Sequence, residues 1–269
     1  STTTLLNVTM SNNTSSGAGI YCNKGTNLTL INCILWGNTP NEITFFGYND
    51  PNTVDVSYTD IQGGQDSIVT ESNGTVTWGS GNIDVDPMFV DSDNGNYHLL
   101  ASSQCINAGH PDSLDSDGTV ADIGAYPYLN SYSGPTWYIT EGGNDTTATG
   151  ASGDPFRSIQ AGINFATTDG DSVTVTAGTY VENINFRGRN IKVIGADRET
   201  TVIDGNQSGS VIQFTNGENE NTRLENFTLQ NGNGTSHSQE NYDTNTRKYG
   251  GGIFIREFSK PVIKNIIIK

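Results

Sequence analysis

Four aspartates that lie close together in the sequence have the residue type and spacing of a metal site: Asp112, Asp115, Asp117 and Asp122. Gly118 lies among them, and carboxylates around a glycine turn suit calcium, which binds about six to eight oxygen atoms. The Glu that would complete a helix–loop–helix calcium loop is missing. The alternative is a turn in which Asp side chains accept hydrogen bonds from nearby backbone. The sequence leaves both open, and calcium is the only cofactor for which it offers ligands.

A second acidic turn, Asp-Ser-Asp-Asn-Gly at residues 91–95, is a weaker version of the same pattern. Here a turn is favoured over a metal site. The three histidines, His98, His110 and His237, are scattered along the chain. Zinc spacings, phosphate loops and nucleophile elbows do not occur in the sequence.

The basic cluster that could act in catalysis consists of Arg187, Arg189 and Arg198, with Asp197 and Asp204 nearby. Such a group could remove a proton from a sugar or clamp a substrate. The favoured interpretation is that these are solvated turn residues, because a catalytic motif counts only in a structural context that supports it. We therefore assign no catalytic residue from the sequence.

Aromatic side chains offer a third chemistry, the stacking of sugar rings. Aromatic residues more often cover the ends of a hydrophobic core, and that is the alternative here. The residues concerned are Trp36, Trp78, Trp137, Tyr48, Tyr126 and Tyr128.

Composition limits both the fold and the partners. With 33% hydrophobic residues and 32 glycines, the chain is too polar for a doubly wound α/β core, and its β-branched residues argue against disorder. Polar, glycine-rich strands fit a solenoid, in which stacking builds the core. A net charge of −16 disfavours nucleic acid and anionic membranes and attracts cations, although acidity can also serve only to keep an extracellular protein soluble. No segment has the length of a membrane helix.

The three cysteines are Cys22, Cys33 and Cys105, so at least one thiol is unpaired. Their spacing is not that of a metal site. Buried thiols are the favoured interpretation, and a Cys22–Cys33 bridge stays open because its geometry cannot be judged from the sequence.

Two stretches of the chain share a pattern of strand with Asn, glycine-rich turn, and strand with Asn. The spacing from Asn7 to Asn32 is a plausible repeat for stacked strands. The spacing from Asn226 to Asn265 is longer, and we expect the extra polar residues, 231–248, to form a loop. Asn tolerates the left-handed backbone of corners and can bond to neighbouring groups there. Stacked Asn residues would therefore form a hydrogen-bonded ladder inside a turn.

Residues 137–186 have the pattern of the beginning of such an array. Asp154 and Pro155 suit the N-cap and the first position of a helix. Apolar residues then follow at helical spacing, which predicts a short capping helix over 155–167. A helix in this place would cover a strand edge that is otherwise open to pairing.

Two sets of motifs carry a resemblance to known proteins. The first set is Pro-Phe-Arg-Ser-Ile-Gln-Ala-Gly-Ile at 155–163, Gly-Asp-Ser-Val-Thr-Val at 170–175, Gly-Thr-Tyr-Val-Glu-Asn-Ile at 178–184 and Thr-Val-Ile-Asp-Gly at 201–205. The second set is Asp-Pro-Met-Phe-Val-Asp at 86–91, Gly-Asn-Tyr-His-Leu at 95–99, Cys-Ile-Asn-Ala-Gly at 105–109 and Asp-Ile-Gly-Ala-Tyr at 122–126. They resemble the opening and closing segments, respectively, of the pectin-lyase-like superfamily in its secreted bacterial branch.

The resemblance implies an all-β fold, a right-handed parallel β-helix in two portions. It implies no activity, because this architecture serves lyases, hydrolases, adhesins and structural proteins alike. Lyases of this kind need carboxylates that hold calcium together with a basic residue. The hydrolases need paired aspartates with a His and an Arg-Lys pair. The Asp-Asp and Gly-His-Gly motifs do not occur in this sequence.

The order of the segments departs from the family, since the closing segment comes first. We expect closing-type strands over 1–128, a linker over 129–136 and opening-type strands with the capping helix over 137–269. A chain that starts with Ser1 rather than Met is expected to be processed or partial. Neither end carries a cap, so each is expected to present a strand edge that can pair with another chain. The edge residues are Leu5, Leu6, Val8, Val262, Ile263, Ile266, Ile267 and Ile268.

These features predict a non-enzymatic, extracellular or cell-surface structural protein. Copies of the chain would stack end to end in a filament, stalk or adhesin, and matrix polysaccharide is a further expected partner. The alternative is a β-helix protein that binds or degrades polysaccharide. Nucleic acid and membrane insertion are not expected.

Overall fold

The structure is a computed structural model that describes residues 2–16, 18–47, 50–237 and 247–269. Over these residues the chain is mostly β-strand, with parallel sheets and a single α-helix, which confirms the predicted all-β class. The chain divides into two compact units, Ser1–Asn130 and Ser131–Lys269. Within the described ranges, no helix has the length and apolar character needed to cross a membrane.

The first unit consists of short strands joined by tight corners. Two 3-10 turns, Gly64–Ser67 and Ser92–Asn94, interrupt them. The strands are β1 Thr2–Leu6, β2 Thr9–Ser11, β3 Ile20–Asn23, β4 Asn27–Ile31, β5 Ile34–Trp36, β6 Ile43–Phe46, β7 Asn52–Ser57, β8 Asp60–Ile61, β9 Ile68–Val69, β10 Gly74–Trp78, β11 Phe89–Asp91 and β12 Asn96–Leu99.

The first unit contains three parallel sheets, and successive strands of the chain go to each sheet in turn. The strand orders are β1-β4-β7-β10, β2-β5-β8 and β3-β6-β9. The chain returns to the same sheet at a nearly regular interval, as in the pairs Thr2 with Asn27 and Asn52 with Gly74. This interval agrees with the spacing of Asn7 and Asn32 in the sequence. Strands β11 and β12 form a separate antiparallel pair.

Alternation along each strand decides which side chains enter the core of the first unit. In β4 the buried Leu28 and Leu30 alternate with more exposed neighbours, and in β6 Ile43 and Phe45 do the same. These side chains belong to one buried cluster that draws on all three sheets. Burying each such side chain contributes about 1.5–3 kcal/mol relative to leaving it exposed. The three cysteines are buried thiols that are not joined by a disulfide, so the Cys22–Cys33 bridge does not form.

Residues 101–128 pack beside the corner between β4 and β5. The N–H of Gly124 donates to the carbonyl oxygen of Asn32 (2.8 Å), and the N–H of Ala125 donates to Thr9 Oγ1 (3.0 Å). Ile106 and Ile123 are fully buried. This segment therefore extends the core of the first unit beyond its three sheets.

The second unit contains the helix, α1 Ile159–Phe165, and a further set of strands. These strands are β13 Thr136–Ile139, β14 Ser172–Val175, β15 Gly178–Val181, β16 Ile184–Asn185, β17 Lys192–Gly195, β18 Thr201–Asp204, β19 Ile212–Phe214, β20 Arg223–Gln230, β21 Thr235–His237, β22 Arg247–Tyr249, β23 Ile253–Ile255 and β24 Val262–Ile268.

Parallel pairing dominates the second unit as well. One sheet has the order β13-β14-β17-β20-β18-β15, with β24 paired to β20, and another has the order β16-β19-β23. Arg223 pairs with Val262, which confirms the longer spacing predicted from Asn226 and Asn265. Much of the extra length falls in residues 231–248, where β21 and β22 form an antiparallel pair. Residues 238–246 of the predicted loop lie outside the described ranges.

The helix is shorter than the predicted range of 155–167 and begins later. Its N-cap is Ser158, whose side chain accepts a hydrogen bond from a helix N–H group. The predicted N-cap, Asp154, is wrong, because that carboxylate instead accepts hydrogen bonds from Thr149 in the preceding loop. Phe156 stays extended and pairs with Ile139 of β13.

The predicted Asn ladder is confirmed in the second unit. Asn226 and Asn265 both have a left-handed backbone, with φ of 68° and 53°. Asn265 Nδ2 donates to Asn226 Oδ1 (2.8 Å), and Asn226 Nδ2 donates to the carbonyl oxygen of Gly195 (3.2 Å). In the first unit Asn32 is also left-handed, but its Oδ1 accepts the N–H of His110 (2.7 Å).

Candidate functional site

An open groove of about 680 Å³ lies on the outer face of the sheet β3-β6-β9 in the first unit. Its volume falls within the range of about 300–1,000 Å³ that is usual for ligand pockets. It combines aromatic and apolar side chains with hydroxyl, amide and carboxylate groups. The lining residues are Ser15, Ser16, Ala18, Tyr21, Pro40, Asn41, Thr44, Phe46, Val69 and Glu71.

Strand alternation places two aromatic rings on this face. Cys22 and Phe45 point inward and are buried, so their neighbours Tyr21 and Phe46 point outward. Both outward side chains are 49% exposed. Their rings stack with centroids 5.7 Å apart and an angle of 30° between the planes. Because the rings come from two paired strands, the sheet itself holds the aromatic surface in place.

The polar end of the groove lies at the turns that lead into β3 and β6. Ser15 Oγ accepts the N–H of Ala18 (3.0 Å), and Asn41 Nδ2 donates to Thr44 Oγ1 (3.3 Å). The two turns stack through a backbone bond from the N–H of Ser15 to the carbonyl oxygen of Thr39 (3.2 Å). Hydroxyl and amide groups therefore line the same groove as the aromatic rings.

A buried pair beneath these turns supports the polar end. The side-chain amide of Asn38 donates to the Glu42 carboxylate and to the carbonyl oxygen of Met10 (2.9 Å). Burial raises the pKa of Glu42, while the hydrogen bonds from Asn38 lower it. Gly19 leaves room for this pair, because a Cβ atom there would lie 2.8 Å from Asn38 Cγ. Asn38 and Glu42 are therefore buried beneath the turns and do not line the groove.

Glu71 is the one charged residue among those that line the groove. It has a left-handed backbone with φ of 47°, which is costly for a residue other than glycine. Glycoside hydrolysis generally uses two carboxyl groups that flank the scissile bond. The described lining thus offers stacking and hydrogen bonding to a sugar rather than an acid and base pair.

The unit that carries the groove is strongly acidic. Residues 1–130 contain 14 Asp and Glu residues and a single basic residue, Lys24, which gives a net charge of −13. The remaining residues contain 15 acidic and 12 basic residues, which gives −3. Most of the negative charge of the protein therefore belongs to the first unit.

Three of the four aspartates that the sequence offers to calcium are used in hydrogen bonds to backbone N–H groups. Asp122 accepts from Asn107 (2.8 Å) and Tyr128 (2.7 Å), and Asp115 accepts from Asp122 (2.8 Å). Asp117 likewise accepts from Thr119 and Asn130. The side chain of Asp112 is 93% exposed and lies 4.0 Å from His110.

This arrangement matches the alternative of an Asp-rich turn. Over the described part of the chain, no three His, Cys, Asp or Glu side chains group in a way that could hold a metal ion. Calcium stays a prediction, and heat unfolding with added calcium or EDTA tests it. Bound calcium would require an unfolding temperature that falls with EDTA in the native protein but not in Asp115→Asn.

Three carboxyl groups have a pKa raised to about 7, and desolvation is the largest cause in each: the buried Asp60 and Asp122 and the partly buried Glu182. The native state therefore holds their protons more tightly than the unfolded chain, whose carboxyl groups titrate near pH 4. We expect the unfolding temperature to fall as the pH rises from about 4 to about 7 and then to level off. Calorimetry across this range measures the effect.

The control for this pH dependence is the exposed Asp112. We expect Asp122→Asn to flatten the decline between pH 4 and pH 7, and Asp112→Asn to leave it unchanged. Stability that rises from pH 5 to pH 8 would contradict the assignment.

The basic cluster serves α1 rather than an open site. The Arg189 guanidinium donates to the carbonyl oxygens of Ile163 and Asn164 at the end of the helix, and burial lowers its pKa well below the ordinary value. Arg187 Nη1 donates to Asn164 Oδ1 (2.7 Å). At the other end, Glu182 accepts the first N–H groups of the helix. Arg187 lies in a turn as expected, but both side chains bind the end of the helix, so the expectation that they are only solvated is wrong.

The rest of the cluster stands apart from that helix. Arg198 Nη1 donates to Asn265 Oδ1 (2.8 Å), so it contacts the Asn ladder. Asp197 accepts the N–H of Glu199 (2.9 Å) within a turn. Hydrogen bonds from Gln230 and other groups lower the pKa of Asp204. These contacts fix turns and do not define a catalytic arrangement.

Of the aromatic residues named from the sequence, those that the structure describes do not line the groove. Trp36 and Trp78 are partly buried in the first unit, and Trp137 is buried in the second, where it packs against Phe156 and Phe165. Tyr126 is 44% exposed and contacts His98. Tyr48 lies outside the described residues.

Tyr21 and Phe46 were missed by this selection, although the sequence contains a signal for them. In the pair Phe45-Phe46, strand alternation must leave one ring on the outer face. Tyr21 precedes the buried Cys22 in the same way.

The predicted edge residues lie on β1, β24 and the corner after β1. Leu6 and Ile268 are 55% and 56% exposed. The others are partly buried: Leu5, Val8, Val262, Ile263, Ile266 and Ile267. In the described structure β1 pairs with β4, and β24 pairs with β20.

Comparison of the chain with protein-family models, with curated proteins and with solved structures finds no match.

Proposed function

We propose that the chain is a right-handed parallel β-helix protein of the pectin-lyase-like superfamily that acts outside the cell. The regular return to three parallel sheets and the left-handed Asn corners support this architecture. Connections between parallel strands of one sheet are right-handed in nearly all proteins, which supports the handedness. The motifs quoted from the sequence support the family.

The function that the geometry supports best is the binding of a polysaccharide on the outer face of β3-β6-β9. One observation carries this proposal: Tyr21 and Phe46 form an exposed aromatic stack inside an open groove. Single exposed apolar residues are ordinary on protein surfaces. Two stacked rings in a groove with polar groups beside them have the mixed lining that is typical of ligand sites. An open face suits a polymer, which can pass across the groove and continue beyond it.

The groove has the two kinds of contact that a sugar ring needs. The C–H groups of a pyranose face are apolar and can pack on an aromatic ring. The hydroxyl groups stand at the rim of the sugar, where Ser15, Asn41 and Glu71 can exchange hydrogen bonds with them. Because paired strands of the sheet carry the two rings, little ordering entropy of the aromatic surface opposes binding.

Affinity gel electrophoresis tests the proposal. The full chain is run through gels that contain a soluble β-glucan, galactan or mannan, and its mobility is compared with that in an empty gel. We expect at least one polysaccharide to retard the protein. Unchanged mobility with all three polysaccharides would contradict the function.

A second proposal is that copies of the chain stack end to end through β1 and β24 in a filament, stalk or adhesin. The observation that favours it is the open backbone edge of both strands in the described structure, beside the exposed side chains of Leu6 and Ile268. Such edges are templates for pairing with another strand. A strand of a second copy would also cover the partly buried Ile266 and Ile267.

Electron microscopy of the purified protein tests the second proposal. We expect filaments with an axial repeat of one chain, and their loss in Leu6→Lys with Ile268→Lys, because lysine blunts strand edges. Leu114→Lys is the control, since this side chain is 66% exposed but lies on neither edge strand. Dispersed single particles of the unaltered protein would contradict stacking.

A further inference from the structure

We infer that the groove selects glycans without acidic groups and excludes polyuronides. This inference rests on the proposed function of the groove and names its substrate class. The described lining offers no cation that could pair with a carboxylate or sulfate on a sugar, since Glu71 is its one charged side chain. Recognition of anionic groups in proteins generally relies on Arg or Lys side chains or on clusters of backbone N–H groups.

The surroundings of the groove strengthen the selection. The unit that carries it has a net charge of −13, and its single basic residue, Lys24, is not among the residues that line the groove. A polyuronide carries a negative charge on each sugar unit, so the summed field of the unit opposes its approach. An uncharged glycan meets no such field and keeps the stacking and hydrogen-bonding contacts.

Glu71 is the residue in the groove whose charge acts directly against an acidic sugar. Its carboxylate can accept hydrogen bonds from sugar hydroxyl groups but repels a sugar carboxylate at the same place. Glu71→Lys therefore replaces a repulsive group by an attractive one without altering the aromatic stack. Glu71→Gln keeps the size of the side chain and removes only its charge, which makes it the matched control.

The test is isothermal titration of the full chain with oligosaccharides of matched length from β-glucan, galactan and mannan, and from polygalacturonate and alginate. We expect the best neutral ligand to bind at least about tenfold tighter than either acidic one at low salt. The difference should narrow as added salt screens the field. Glu71→Lys should raise affinity for the acidic ligands, and Glu71→Gln should raise it less.

The outcomes separate this inference from the function on which it rests. Tighter binding of polygalacturonate or alginate than of every neutral ligand would overturn the inference and leave glycan binding in place. The same holds if Glu71→Lys does not change affinity for the acidic ligands. Absence of binding to all five would overturn both.

Discussion

Tyr21→Ala weakens binding of a neutral glycan by at least about tenfold, and Phe46→Ala does the same. A sugar that covers about 55 Å² of one ring face removes this apolar area from water. At about 25 cal/mol per Å², this burial contributes about 1.4 kcal/mol to the binding free energy. This free energy corresponds to a factor of about ten in the dissociation constant. Both rings are 49% exposed, so the area is open to a ligand. Isothermal titration of each variant measures the change.

Tyr126→Ala is the control for this prediction. Its side chain is exposed to a similar degree and lies in the same unit, but it does not line the groove. We expect its affinity to equal that of the unaltered protein. Equal loss in Tyr126→Ala, or full affinity in Tyr21→Ala with Phe46→Ala, would place the ligand elsewhere.

Phe45→Ala lowers the free energy of unfolding by about 3–5 kcal/mol, the usual cost of removing a buried Phe side chain. Phe45 is fully buried and packs in the cluster to which all three sheets of the first unit contribute. The cost has two parts, the lost burial of the ring and the cavity that remains between the sheets. Denaturant titration followed by tryptophan fluorescence measures it.

Phe46→Ala is the matched control, because the same residue type occupies the next position on the same strand. Its ring faces solvent, so we expect a change in unfolding free energy of less than about 1 kcal/mol. Phe45→Ala should thus lower the stability of the fold, whereas Phe46→Ala should weaken glycan binding and leave stability nearly unchanged. If Phe46→Ala destabilises the protein as much as Phe45→Ala, the strand does not alternate as described.

Much of the local structure follows from the sequence alone. The alternation of Leu28 and Leu30 with polar neighbours is enough to predict a half-buried strand. The positions of Asn226 and Asn265 predict a stacked corner, because few other residues accept a left-handed backbone and bond along a stack. The side-chain bond between these two residues confirms it.

The start of the helix could not be predicted in the same way. Asp154 and Pro155 form a good local start signal, yet the helix begins after Ser158. Two further acceptors come from distant sequence: Glu182 binds the first helix N–H groups, and Asp145 accepts the N–H of Arg157 (2.8 Å). A local pattern carries no information about such partners.

The groove is hidden from the sequence for a related reason. Tyr21, Phe46 and Glu71 lie far apart along the chain, and each looks ordinary within its own segment. They share one face only because the pairing of β3, β6 and β9 has a particular register. Arg189 and Asp122 have the residue types most often found in catalytic or metal sites. In the structure they instead form hydrogen bonds to backbone groups.

A crystal structure of the full chain with a neutral oligosaccharide would show where on the first unit the glycan binds. We predict a sugar ring parallel to the stacked rings of Tyr21 and Phe46, with its hydroxyl groups within hydrogen-bonding distance of Asn41 or Glu71. An oligosaccharide bound on another surface, or a β3-β6-β9 sheet that does not present Tyr21 and Phe46 on one outer face, would contradict the account.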